Sequence, residues 1–93
     1  MSYSFLAFTA SAETIGAIQR YVQHGIPPGS FVRCVLENRL RESVARADET
    51  NMGALPAIVA YLWNEVPSQC WGSPEAVEEW LAYHAAMRAA GGA

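Results

Sequence analysis

Apolar residues recur at helical spacing over most of this chain. One segment follows the i, i+3, i+4, i+7 rule more closely than any other: Leu55, Ile58, Val59, Leu62, Trp63 and Val66. This stripe predicts a central core helix, which Pro67 ends. Because an interior proline removes a backbone hydrogen bond, Pro56 must lie near a helix start, and we expect the helix to begin no more than about four residues before it. Residues 48–53 then form a polar connector.

A first helix is predicted over residues 12–24. Ser11 offers the side-chain oxygen that caps a helix N-terminus, and Gly25 suits the left-handed residue that ends a helix. The expected buried stripe is Ile15, Ile18 and Val22.

A second helical segment follows Ile26-Pro27-Pro28-Gly29, which cannot continue a helix because two prolines lack N–H donors. Ser30 restarts the chain as a cap. The apolar set of this segment is Phe31, Val35, Leu36, Leu40, Val44 and Ala47. Asn38 is a weak helix former and a good cap, so we expect a kink or a break there, with helices over roughly 30–37 and 39–49.

The last helix has the clearest start signal in the chain, Ser73-Pro74-Glu75, which combines a cap, a first-turn proline and an acidic residue. It is predicted over 74–90, with residues 91–93 frayed. Residues 1–10 lack helical caps and read as an extended arm or short strand. The prediction is a single all-α domain over 1–93: a compact bundle of four or five short helices with an extended N-terminal arm.

Composition adds an expectation about the surface. Hydrophobic residues make up 52% of the 93 residues and charged residues only 16%. A helical monomer of this size exposes much of each helix, so this apolar content predicts an exposed patch for self-association or for a partner. A homo-oligomer is therefore expected.

The charge balance argues against two classes of partner. The formal net charge is −3, whereas nucleic acids and anionic membranes attract proteins with summed positive charge. No stretch approaches the roughly 18 apolar residues of a membrane span, and the first residues lack a basic signal region. We expect a protein of the cytoplasm of a bacterial host cell.

Few residues suggest catalysis. Cys34 and Cys70 stand 36 positions apart without a CxxC or Cys/His cluster, and Cys34 lies beside an apolar stripe. His24 and His84 fit structural roles in helices. Because no catalytic or metal-binding motif is visible, we expect no enzyme activity, no metal and no cofactor.

Polar recognition has one main candidate. Its residues are Arg46, Asp48 and Asn51 at a helix end, with Asn64, Glu65 and Trp71 near the end of the core helix. In a pocket, Trp71 would stack on a planar group and Arg46 would bind an anion. The alternative is that these side chains are solvated caps.

A second candidate involves Arg33, Arg39, Arg41 and Arg46, which flank the expected break at Asn38 as in a helix-turn-helix. Glu37 and Glu42 lie among these arginines, and the i, i+4 pairs Arg33–Glu37 and Glu42–Arg46 are expected to neutralise the stripe. Binding of DNA is therefore the weaker hypothesis.

Several stretches between Tyr21 and Trp80 resemble a family of small proteins encoded by bacteriophages, prophages and plasmids. They are HGIPPGSF (24–31), VLEN (35–38), RADETN (46–51), NEVP (64–67) and CWGSPE (70–75). The resemblance implies no catalytic or binding residue. It implies a context, since small accessory proteins of mobile elements often bind and inhibit a host factor of antiviral defence.

The sequence thus predicts a protein that acts by binding, with inhibition or modulation of a host protein as the leading hypothesis. Sequestration of a small anionic ligand such as a nucleotide signal is the alternative, and weak DNA-binding regulation is a second alternative.

Overall fold

A computed structural model describes residues 2–91, and over that range a short hairpin precedes five α-helices. The strands are β1 (Tyr3–Phe5) and β2 (Phe8–Ala10). The helices are α1 (Ala12–His24), α2 (Ser30–Leu36), α3 (Leu40–Arg46), α4 (Glu49–Glu65) and α5 (Pro74–Gly91), with a 3₁₀ turn at Ser68–Cys70 before α5. The predicted helical architecture is confirmed, but the prediction of a purely all-α fold is wrong because the N-terminal arm pairs with itself.

The hairpin is held against α4 by its apolar face. The two strands are antiparallel and pair Tyr3 with Ala10, Ser4 with Thr9 and Phe5 with Phe8. Residues directly opposite each other point to the same side of a sheet, so the apolar pairs share one face. On that face, the rings of Tyr3 and Tyr61 of α4 meet edge to face, with centroids 5.1 Å apart.

The bounds predicted for the first helix are confirmed. The side chain of Ser11 accepts a hydrogen bond from the N–H of Thr14 at 3.3 Å. Gly25 has φ +64°, and its N–H donates to the carbonyl of Tyr21 at 2.9 Å. Local capping therefore sets both ends of α1.

The predicted break at Asn38 is also confirmed, because this residue has φ +61° and separates α2 from α3. Its N–H donates to the carbonyl of Val35 at 3.0 Å. The second helix of the pair is shorter than predicted, however, since α3 ends at Arg46 rather than near residue 49.

The predicted start of the core helix is wrong. Asp48 accepts a hydrogen bond from the N–H of Asn51 at 2.7 Å, and this cap starts α4 at Glu49, seven residues before Pro56. The residues predicted as a polar connector therefore form the first turn. Pro56 lies on the face of α4 that carries exposed Met52 and Val59, where water can solvate the carbonyl that loses its partner.

The core joins α1, α2 and α4 to the 3₁₀ turn and to α5. Its largest fully buried side chains are Tyr21, Ile15, Ile18, Leu36, Ile58, Leu62, Val77 and Cys70. The hydroxyl of Tyr21 donates to the carbonyl of Cys70 at 2.7 Å, and the indole N–H of Trp80 donates to the carbonyl of Tyr21 at 3.1 Å. Burial raises the pKa of Tyr21 above its ordinary value, so this hydroxyl stays a donor.

Helix α5 docks on the end of α1 through His84. A Cβ placed on Gly25 would overlap the Cβ and Cγ of His84, so the imidazole lies directly on the glycine backbone. The rings of Trp80 and Tyr83 lie 4.9 and 5.2 Å from that of His84. His84 thus has the packing role predicted for it.

Gly91, predicted as frayed, is the last residue of α5, and residues 92 and 93 lie outside the described range. Cys34 is buried as predicted, Cys70 is buried as well, and both are free thiols. None of the helices within residues 2–91 is both long enough and apolar enough to cross a membrane.

Candidate functional site

Helix α4 is apolar on the face that points away from the core as well as on the buried one. Its outward residues recur at spacings of four, three and four: Met52, Pro56, Val59 and Trp63. Trp63 is 78% exposed, Val59 48% and Met52 43%. The prediction that Val59 and Trp63 belong to the buried stripe is therefore wrong, because one residue further along a helix is a rotation of about 100°.

The outward face of α4 forms the floor of a groove of about 540 Å³, here named the α4 groove. It is lined by Phe5, Leu40, Leu55, Pro56, Val59, Ala60, Trp63 and Asn64. Phe5 comes from the hairpin and Leu40 from the first turn of α3. The lining is almost wholly apolar, and such a surface facing water is typical of a contact site.

Leu40 and Val44 belong to the apolar set that predicted the second helical segment, but neither side chain is buried. Leu40 is 75% exposed and Val44 is 42% exposed. The left-handed residue Asn38 changes the direction of the chain, so the apolar side of α3 does not continue that of α2. This break is what places Leu40 at the α4 groove.

One polar group of the α4 groove, the side-chain nitrogen of Asn64, already makes two hydrogen bonds. The side-chain amide of Asn64 donates to the carbonyl of Ala60 at 2.9 Å and to the hydroxyl of Tyr3 at 3.5 Å. Tyr3 belongs to β1, so the second of these bonds joins the strand that carries Phe5 to α4, beside the ring contact between Tyr3 and Tyr61. Asn64 therefore helps to form one wall of the groove.

The other members of the predicted polar site do not join Asn64. Asn51 and Asn64 are 13 residues apart in one helix, which is about 20 Å along its axis. Asp48 and Asn51 form the cap that starts α4, whereas Glu65 is exposed at the opposite end. The structure thus divides this set between the two ends of α4.

Trp71 also has a structural contact that the sequence did not indicate. It is half-buried and packs against the hydrophobic core just after the 3₁₀ turn. The next residue, Gly72, donates its N–H to the carbonyl of Leu36 at 2.7 Å, which fixes this corner to the end of α2. A ligand-stacking role for Trp71 stays a prediction.

A charged cluster lies at the end of α2. Glu37 accepts hydrogen bonds from Arg33 at 2.9 Å and from Arg39 at 2.7 Å, and its side chain is only 10% exposed. Burial by itself would raise the pKa of Glu37, but the two guanidinium groups outweigh it and lower that pKa below its ordinary value. The pair of Arg33 with Glu37 was predicted, whereas no ion pair joins Glu42 to Arg46 in the part of the chain that the structure describes.

Arg46 lines the same shallow depression as this cluster, which has a volume of about 300 Å³. It therefore lies with Arg33 and Arg39 and not with the residues at the far end of α4. Two of the four arginines proposed to face DNA are already paired with Glu37.

No family model, curated protein or solved structure matches this chain. The resemblance to proteins of mobile elements stays a prediction. Within residues 2–91, no group of three or more His, Cys, Asp or Glu side chains is placed to hold a metal ion. The α4 groove is the site that the geometry singles out, and the sequence signal for it was the second apolar stripe of α4.

The charged cluster has a testable pH dependence. We expect Glu37→Gln to lower the free energy of unfolding by roughly 1 kcal/mol at neutral pH. Because the native pKa of Glu37 lies below its ordinary value of 4.5, the carboxylate contributes fully above about pH 4.5, and its contribution is lost as pH falls through the native pKa. Urea unfolding of both proteins between pH 7 and pH 3 should show the two stabilities converging. Glu42→Gln serves as control, and a difference that stays constant down to pH 3 would contradict the assignment.

Proposed function

We propose that this chain acts by binding another protein and that the α4 groove is its binding surface. The observation that supports this most strongly is the exposure of Trp63 beside an apolar groove. Together with the resemblance to proteins of mobile elements, it favours a small accessory protein of a phage or plasmid. Its target would be a host protein, one of antiviral defence, which it inhibits or modulates.

The exposed area at Trp63 is large enough for an energetic hot spot. A tryptophan side chain has about 250 Å² of surface, so its 78% exposure leaves about 200 Å² in water. Burying that area would contribute on the order of 5 kcal/mol before the entropic cost of association is subtracted. Tryptophan is among the residues most enriched at the centres of protein interfaces.

The walls of the groove are preformed, which reduces the cost of binding. The ring contact of Tyr3 with Tyr61 and the hydrogen bond from Asn64 to Tyr3 hold β1 beside α4, and α4 supplies the floor from a single continuous helix. A partner that presents apolar side chains, such as one face of an amphipathic helix, would find these contacts already in place.

A comparative capture experiment tests this proposal. Immobilised chain is incubated with lysate of the bacterial host at physiological salt, alongside Trp63→Ala and the control Tyr83→Ala. Tyr83 is 54% exposed but lies on α5, away from the lining of the groove. We expect a stoichiometric partner that the unmodified chain and Tyr83→Ala capture equally and that Trp63→Ala captures at least tenfold more weakly, a change of about 1.4 kcal/mol.

Two outcomes would count against the proposal. One is that no partner is recovered in stoichiometric amount, and the other is that the Trp63→Ala variant retains its partner unchanged. Far-ultraviolet circular dichroism of each variant has to match the original spectrum, so that loss of capture reports the surface and not the fold.

A second candidate function rests on the arginine-lined depression. Arg33, Arg39 and Arg46 line it together with Glu37 and Glu42. Because Glu37 already pairs with Arg33 and Arg39, an anion such as a nucleotide phosphate would bind chiefly to Arg46. Calorimetry with a panel of nucleotides would detect such a ligand, and Arg46→Ala would remove binding while Arg20→Ala on α1 would not. If no nucleotide releases heat and Arg46→Ala has no effect, this alternative is rejected.

A further inference from the structure

We infer that a second copy of this chain occupies the α4 groove, with the two α4 helices antiparallel across a two-fold axis. This deepens the proposed function, since it rests on the same binding surface: a second copy and a host protein would compete for the groove. Self-association would then control how much of the surface is open to the partner.

The spacing of the outward stripe is that of a helix-pairing seam. Met52, Pro56, Val59 and Trp63 follow the alternation of fours and threes that keeps one line of side chains facing a neighbouring helix. Residues 50–64 contain no charged side chain at all. A second α4 can therefore lie along this seam without burying a charge, which is the usual cost of pairing two polar helix surfaces.

The stripe is complementary to itself in one antiparallel register. With the two-fold axis midway between Pro56 and Val59, Met52 of each copy faces Trp63 of the other. The same axis places Pro56 against Val59 of the second copy. A flexible methionine then fills the space around a rigid indole, and thioether–aromatic contacts of this kind are favourable. In such an isologous interface each of these contacts occurs twice.

The exposed apolar area matches what a dimer of this kind needs. Trp63, Leu40, Met52, Phe5 and Val59 are 78, 75, 43, 41 and 48% exposed. Together they leave on the order of 500 Å² of side-chain surface in water, close to the apolar share of the roughly 800 Å² that each partner buries in a standard interface. Leu40 and Phe5 border the seam and would add contacts on its flanks.

Sedimentation equilibrium over a range of concentrations tests this inference on the full chain. We expect the mass to approach twice the 10.1 kDa of one chain. Trp63→Arg and Val59→Arg each place a charge in the seam and should raise the dimer dissociation constant at least a hundredfold. Met87→Arg changes a side chain of similar exposure, 56%, on α5 and should leave the constant unchanged.

Cysteine cross-linking tests the register. The native Cys34 and Cys70 are buried, so an introduced thiol reports its own neighbours. In the antiparallel register, a mixture of Met52→Cys and Trp63→Cys chains forms a disulfide, whereas Met52→Cys chains alone do not join each other. A disulfide between two Met52→Cys chains would overturn the antiparallel arrangement.

The failures of the two proposals are distinguishable. A chain that stays monomeric at the highest concentration, or a dimer that Trp63→Arg leaves intact, overturns this inference. If such a chain still captures a host protein through Trp63, the proposed function stands. A dimer that depends on Trp63, from a chain that captures no host protein in dilute solution, supports the inference and counts against the proposed function.

Discussion

Replacing Gly25 by alanine is expected to lower the free energy of unfolding by about 3 kcal/mol, from a left-handed backbone and an overpacked contact together. Gly25 has φ +64°, a conformation that costs a residue with a Cβ about 1–2 kcal/mol. The new Cβ would also overlap the Cβ and Cγ of His84, which are rigid parts of that side chain. The residue that ends α1 is thus also the one on which α5 docks.

Chemical unfolding followed by circular dichroism measures this loss, and Gly53→Ala is the matched control. Gly53 lies inside α4 with open space around it, so the same substitution there should raise stability by about 0.5–1 kcal/mol through helix propensity. His84→Ala combined with Gly25→Ala should not recover the loss, because alanine keeps the Cβ that the new methyl would overlap. The control outcome is a free energy of unfolding for Gly25→Ala that lies within about 0.5 kcal/mol of that of the original protein, as for a neutral surface substitution. In that case α5 does not dock as described.

The second large effect is expected from Leu62→Ala, which should cost about 3 kcal/mol because it leaves a cavity in the core. Leu62 is fully buried, whereas its neighbour Trp63 is 78% exposed. Trp63→Ala removes a larger side chain and yet should change the stability of the monomer by less than about 0.5 kcal/mol.

Urea unfolding in dilute solution, where the chain does not associate, compares the two variants directly. The pair tests the rotation of α4 about its axis, on which both the α4 groove and the proposed dimer depend. A large loss for Trp63→Ala together with a small one for Leu62→Ala would show that the helix presents the other face to the core.

Much of the fold could be predicted from sequence because its helix ends are set locally. The side chain of Ser11 caps the start of α1, and the backbone of Gly25 caps its end. Asn38 adopts the left-handed conformation that separates α2 from α3. Ser73 likewise accepts a hydrogen bond from the N–H of Ala76, at 3.1 Å, at the predicted start of α5. Interactions between residues three or four positions apart can be recognised from the sequence alone.

Other features depend on contacts that a local pattern does not contain. Pro56 suggested a late start for α4, but the cap at Asp48 and the solvent-facing side of the helix made an interior proline tolerable. Residues 1–10 could be predicted as an arm or as a strand. The structure has a hairpin over residues 3–10, and its Tyr3 packs on Tyr61, which lies far along the chain.

The sequence predicted that an exposed apolar surface exists, but not which residues form it. The high apolar content indicated an exposed patch, and the structure has one. Its position was missed because α4 is apolar around most of its circumference. Leu62 and Trp63 are both hydrophobic, so the sequence pattern does not show which of the two faces the core. Arg46 and Asn64 were grouped by polarity, although nearly the whole length of a helix separates them.

The contact between Tyr3 and Tyr61 also bears on how the chain folds as it is synthesised. The hairpin can pair as soon as residues 3–10 leave the ribosome, but its docking surface does not exist until α4 has been made, more than fifty residues later. During that interval Phe5 and Phe8 have no helix to cover them, and unpaired apolar strand edges are prone to aggregate. Nascent chains from which α4 has not yet emerged should therefore be the species that chaperones retain.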